Sequence, residues 1–280
     1  MRRLNSRQAT TLFIGCAIAA LFASIAILGP WITPDDGETM HFAHLRKGPS
    51  SEFLLGTDRL GRDVLSRLIL GTRTTIVIAA ASTALATVLG TAVGLASAYF
   101  GGRIDSVLMR LNDVLIAFPT LVFAMFVIGV IGPGMVNGIL VIALVFTSSI
   151  ARVVRSAALG VVILDYVDAA RIRGEPILFI LTREVLPNLY PTIIVEASIR
   201  FGMAILVTAS LSFIGLGPPP PTPDWGTMVS EGRSLMLTNP WPVFAPAIAI
   251  VVVVIGMNLL GDGLRALLVA RRAAAFGSST

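Results

Sequence analysis

Glu196 and Arg200 are the only charged residues inside the long apolar runs of this chain, and their spacing of four places them on one helical face. A carboxylate and a guanidinium set in apolar surroundings are costly, and such groups in membrane spans commonly mark a transport path or a gate. Both fall within the first three turns of their run, so a self-neutralising structural pair is the competing reading; the two stand side by side. His41 and His44, three apart, would put two imidazoles on one helical face, but no cysteine or third ligand accompanies them. They read as surface histidines, and no metal site is expected. Nucleotide chemistry is missing as well. Lys47, the only lysine, precedes Gly-Pro-Ser and belongs to no glycine-rich phosphate-binding turn. No nucleophile–base set stands out, so the catalytic residue list is empty and energy has to come from a partner or an ion gradient.

The other polar feature is an island, Asp165 to Tyr190, between two apolar runs, carrying Arg171, Arg173, Arg183 and four carboxylates. A plain connection between helices needs roughly 2–8 residues, so this segment is expected to have structure of its own. Asp165 to Arg173 reads as a short helix with the small residues Ala169 and Ala170 side by side. Gly174 interrupts it, and Glu175 is biased to extended geometry by Pro176. A second helical run from Ile177 to Leu186 is expected to stop at Pro187. Helix, sharp turn, helix is a shape that fits into a groove.

The elements that must carry these groups follow from composition. Of 280 residues, 55% are hydrophobic and 13% charged, against about 25% charged in soluble domains, and the mean hydropathy is +0.86. The chain is therefore expected to be an all-α membrane protein. Six spans are read at about 11–32, 74–99, 114–131, 135–151, 191–216 and 243–260, each apolar and near the ~20 residues a helix needs to cross a bilayer. Polar tails lie at 1–10 and 271–280, outer loops at 33–73 and 217–242, and the polar loop at 152–190. The first run is too long for a signal-peptide core and ends in Gly29-Pro30-Trp31, so it is read as an uncleaved span with Trp31 at the boundary. Leu60 to Leu68 reads as a separate amphipathic stretch on the outer side, either a receiving surface or a cap over the bundle. Gly90, Gly94 and Ala98 form a small-residue ridge for helix packing. Four prolines from Pro218 end the fifth span, and Trp225 and Trp241 are taken as interfacial anchors. With the amino terminus inside, inner segments collect thirteen basic residues against seven outside, which supports that orientation and places 152–190 on the inner side. Cys16 alone permits no intrachain disulfide, and no basic block with interleaved aromatics speaks for nucleic acid.

Asp168-Ala169-Ala170, Gly174 and Leu186-Pro187-Asn188 together resemble the EAA loop of permease subunits of bacterial ABC importers, with Asp168 in place of the usual Glu and Glu184 where relatives often carry His. Thr57-Asp58, Gly61-Arg62-Asp63 and Ser66-Arg67 resemble the TD..GRD..SR signature of the C-type subunit in the dipeptide/oligopeptide/nickel branch. Leu259-Leu260-Gly261-Asp262-Gly263-Leu264-Arg265 resembles the closing motif of that family. The resemblance implies a six-span type I transmembrane domain in the bacterial inner membrane, with both termini cytoplasmic and a coupling helix seated in an ATPase. It implies that Asp168, Ala169, Ala170, Arg171, Gly174, Glu175, Leu186 and Pro187 serve coupling. It also implies that Asp58, Arg62, Asp63, Asp224 and Trp225 lie toward a solute-binding protein. The partners it implies are a second permease, two ATPase subunits or domains and that binding protein, with ATP and magnesium held by the ATPases and no cofactor on this chain. Short peptides are the expected cargo, with nickel complexes, glutathione, haem and opines carried by related systems. An ion-coupled secondary transporter is the alternative, but no internal repeat and no midplane charge supports it.

Overall fold

A computed structural model describes residues 6–276. Arg2 and Arg3 of the amino-terminal tail, and the last four residues of the carboxyl-terminal tail, lie outside it. Among the described residues the regular structure is helical, with one isolated bridge between Thr57 and Asp63. In order come α1 (Ser6–Ile32), α2 (Val64–Phe100), α3 (Gly102–Ala117), α4 (Thr120–Ile131), α5 (Met135–Leu159), α6 (Asp165–Ile172), α7 (Ile177–Phe179), a π-helical segment (Ile180–Val185), α8 (Leu186–Phe213), α9 (Trp225–Gly232) and α10 (Trp241–Phe276). Five helical stretches are long and apolar enough to cross a membrane, and the bent α3–α4 pair makes a sixth.

Several boundaries differ from the expectation, each for a physical reason. The outer amphipathic stretch, from Val64 onward, and the second span are one helix, α2, of 37 residues. Asp63 starts it by accepting the N–H of Ser66 at 2.8 Å, an N-cap that the sequence reading passed over. At about 1.5 Å per residue, α2 is far longer than the ~30 Å apolar layer. The expected charged turn at 100–113 is the helix α3. Its polar groups are used sideways against α5: Asp105 accepts from Arg155 at 2.5 Å, and Asn112 donates to the Ser148 carbonyl at 2.8 Å. Span three therefore does not run straight over 114–131. Phe118, made extended by Pro119, breaks it, and α3 and α4 meet at 91°. Span four continues to Leu159, because Arg152 and Arg155 find Asp113 and Asp105 beside them and need not leave the helix. Span six likewise runs on past Leu260.

The bundle is held most extensively by α2 against α5 and by α1 against α10, with α8 between α2 and α10. The small-residue ridge explains the first contact. A Cβ on Gly90 would lie 2.7 Å from that of Ile150, and one on Gly94 would lie 2.7 Å from the Ala151 carbonyl oxygen. Gly263 of the closing motif plays the same part at the second contact, where a Cβ would stand 2.7 Å from the Leu12 Cα. Neither site can take a side chain without parting its two helices.

Candidate functional site

The island between α5 and α8 is built on α6. Its first turn holds Asp165 and Asp168, where the helix dipole favours acid. Val167 and Ala170 are fully buried, as are Ile180 and Val185 of the π segment, and all four belong to the main apolar cluster. The opposite face carries Asp168, Ala169 and Ile172, the last 87% exposed. The two alanines are thus not equivalent: Ala170 seats α6 on its own chain, and only Ala169 is on the surface. Arg171 donates to Asp168 at 2.9 Å and lies 4.9 Å over the ring of Tyr99, which ties α6 to the end of α2.

Gly174 ends this helix at φ +72°, a conformation unfavourable to any residue with a Cβ. Its N–H reaches the Arg171 carbonyl at 3.0 Å, and the N–H of Glu175 reaches that of Ala170 at 3.2 Å. These are the two bonds of a Schellman stop. A Cβ at Gly174 would meet nothing within 4 Å, so the glycine is there for its dihedral angle and not for space. Arg173 lies 3.6 Å from Glu175 and 3.9 Å from Glu184.

The second helical run does not stop at Pro187. One helical stretch, Ile177–Phe213, passes through both Pro187 and Pro191. The chain widens into a π turn just before Pro187, and the Leu186 N–H reaches back to the Leu181 carbonyl. A wider turn gives the proline ring room that an α turn would deny it. Leu186 packs against the apolar cluster and Pro187 faces outward. Asn188, the last residue of the Leu-Pro-Asn motif, joins the two halves of the island. It donates to the Glu184 carbonyl at 2.8 Å and to the Tyr166 hydroxyl at 2.9 Å. Burial, then the nearby Glu184 carboxylate, push the Tyr166 phenol above its ordinary range.

At the other end of the bundle, the residues expected to face a binding protein turn inward. Asp58, Arg62, Asp63, Asp224 and Trp225 are all buried. Asp58 accepts from the backbone N–H groups of Leu60 and Arg62 and, at 2.7 Å, from Arg62 Nε. Arg62 and Arg67 both donate to Glu231 of α9, at 2.8 and 3.1 Å. Glu231 was missed because nothing about a lone acid in an outer loop announces two buried arginines 164 and 169 residues away. Asp224 caps α9 by accepting from Gly226 and Thr227, while burial pushes its carboxyl above the usual carboxylate range. Trp225 is not an interfacial anchor. It is fully enclosed, donates to the Leu68 carbonyl at 3.2 Å and meets Phe22 edge-on at 5.7 Å. These residues fasten the outer loops to the bundle, and any partner meets the surface above them.

Glu196 is 8% exposed and accepts from Arg200 Nε at 2.6 Å, on one oxygen only, while the Arg200 guanidinium sits 5.9 Å from the Phe146 ring. His41 is engaged with Asp35 at 2.8 Å, and among the described residues no group of three metal-ligating side chains gathers.

Residues 86–274 match the family described as the binding-protein-dependent transport system inner membrane component. The chain belongs to this family. It is 40% identical over 260 residues to the glutathione transport system permease protein GsiD of Pectobacterium atrosepticum, covering 92% of this chain and 86% of that one. It is 37% identical to the di/tripeptide transport system permease protein DppC of Pseudomonas aeruginosa (90% and 85% covered). It is also 37% identical to the dipeptide permease DppC of Haemophilus influenzae (90% and 88%). Among solved structures, an amino acid ABC transporter crystallised with histidines shares the fold at TM-score 0.55 and 17% identity, over 72% of this chain and 94% of that one. The chain is thus a multi-span inner membrane permease of the ABC importer type, a transport subunit like its relatives.

Proposed function

We propose that this chain forms half of the translocation pathway of an ATP-driven importer for short peptides, with glutathione-like peptides within the same class. A second permease would supply the other half, two ATPase subunits would hold the ATP and magnesium, and a solute-binding protein would deliver the cargo from outside. The observation that carries the reading is the form of α6 and the Gly174 stop: one face sealed into the bundle, the other presenting Asp168, Ala169 and Ile172 to a partner. The names of the relatives at 37–40% identity support the peptide class. Both termini and α6 lie on the cytoplasmic side in this reading, in keeping with the basic residues of the inner segments. ATP binding would draw the ATPases together, and the island would pass the motion into α8 through the π segment.

The test uses the assembled complex. Gly174→Pro demands a φ near −65° where the chain needs +72°, and Asp168→Arg sets a cation beside Arg171. Both variants are expected to reach the membrane and to lose ATPase stimulation by the loaded binding protein. Full stimulation in both would refute the coupling role of α6. Identifying the binding protein that purifies with the complex, and the solute it carries, checks the cargo.

A further inference from the structure

On the island side of the bundle, α5, α8 and α10 border an open-sided cavity of about 180 Å³, lined by the buried Glu196 and the exposed Arg265. Val153 of α5 and Leu268 of α10 give apolar walls, and Thr192 contributes a hydroxyl. Arg200 occupies one oxygen of Glu196, and the second accepts no hydrogen bond among the described residues. Arg265 makes no ion pair among the described residues and does not close on Glu196, although both border the same space. Here a gap separates them, flanked by the apolar side chains of Val153, Val195 and Leu268.

We infer that this cavity binds a small zwitterion, its ammonium on Glu196 and its carboxylate on Arg265. For the importer proposed above, on which the assignment of cargo rests, that zwitterion is a short peptide held by its two termini on the way out. The chemistry matches each group. A guanidinium fork grips a carboxylate through two parallel hydrogen bonds, and a carboxylate oxygen free of Arg200 accepts from an ammonium. The volume lies below the roughly 300–1,000 Å³ of ordinary small-molecule pockets, which suits a small ligand and disfavours a long one. A phosphatidylethanolamine headgroup carries the same pair of charges and is the other source the test must separate.

Binding of radiolabelled Ala-Ala, N-acetyl-Ala-Ala and Ala-Ala amide would be measured on the whole complex in nanodiscs without the binding protein, with and without phosphatidylethanolamine. The wild type should prefer the free dipeptide over each blocked form by about tenfold or more, the worth of one charge-assisted hydrogen bond. Glu196→Gln should erase only the preference over the acetylated peptide. Arg265→Gln should erase only the preference over the amide, and Arg265→Lys should keep part of it. Should Glu196→Gln fail to assemble, the two exposed-site Arg265 variants still decide the carboxylate half. Terminus preferences that survive both neutral variants, or dipeptide binding confined to bilayers without phosphatidylethanolamine, would overturn the inference. ATP-driven uptake of peptides with the binding protein present, measured in the same wild-type complex, separates this failure from a failure of the peptide reading: uptake without the expected preferences sinks the cavity assignment alone.

Discussion

At Glu231 two arginines that also flank Asp58 meet an acid from a distant helix. Arg62 and Arg67 are almost wholly buried, and Glu231 is the acid that brings them together from α9. Without Glu231 the two buried guanidinium groups share Asp58 alone, and breaking such a buried cluster costs up to about 3–5 kcal/mol. Glu231→Gln is therefore expected to lower the thermal midpoint of the detergent-solubilised complex by several degrees. An unchanged midpoint would mean that water reaches the cluster and already compensates it. The residues proposed for coupling divide in the same way. Gly174 is required for a dihedral angle, Ala170 for a buried seat and Asp168 for an exposed charge, although the three read alike as one motif. Motif spacing located them. Which way each side chain turns depends on Ile180 and Val185, which pack beneath α6 and have no mark in the motif.

Among the elements, the α2–α5 contact and the π segment make opposite demands. Gly90 and Gly94 hold two helices at backbone distance, so Gly94→Val should part them. Overpacking of this kind costs about 1–3 kcal/mol and would show as reduced assembly yield and earlier unfolding. The π segment is instead a place where the helix departs from its regular pitch. Pro187→Ala removes the ring that the wide turn accommodates and restores an N–H, so the stretch is expected to relax toward an α helix. The register of α8 relative to α6 would then change. ATP hydrolysis with little peptide uptake, compared in one proteoliposome preparation, is the expected result. Uptake and hydrolysis that fall together would instead place the defect in assembly. Proline alone suggested a stop, because a proline usually ends a helix. The continuous run through Pro187 needed the packed Val185 and Leu189 on either side of it.

For the molecule as a whole, orientation is the property most directly open to experiment. Ile172 on α6 and Leu237 beyond α9 are both highly exposed, at 87% and 102%, and belong to opposite ends of the bundle. In a Cys16→Ser background, Ile172→Cys should react with a membrane-impermeant thiol reagent in inside-out vesicles only, and Leu237→Cys in intact cells only. The reverse pattern would place α6 outside, beyond the reach of any ATPase. Apolar runs, proline and glycine positions and the motifs at 57–67, 168–188 and 259–265 were enough to determine a multi-span helical permease, because burial in lipid and φ restrictions act through residue type and local spacing. The merging of the outer stretch into α2, the right-angle break before α4, the inward turn of Asp58, Arg62 and Trp225, and the placing of Glu196 and Arg265 on one cavity were decided only in the folded bundle. Each depends on partners far along the chain, such as Glu231 for Arg62 and Arg155 for Asp105, and the energy of such contacts is set by which side chains become neighbours once the helices have packed.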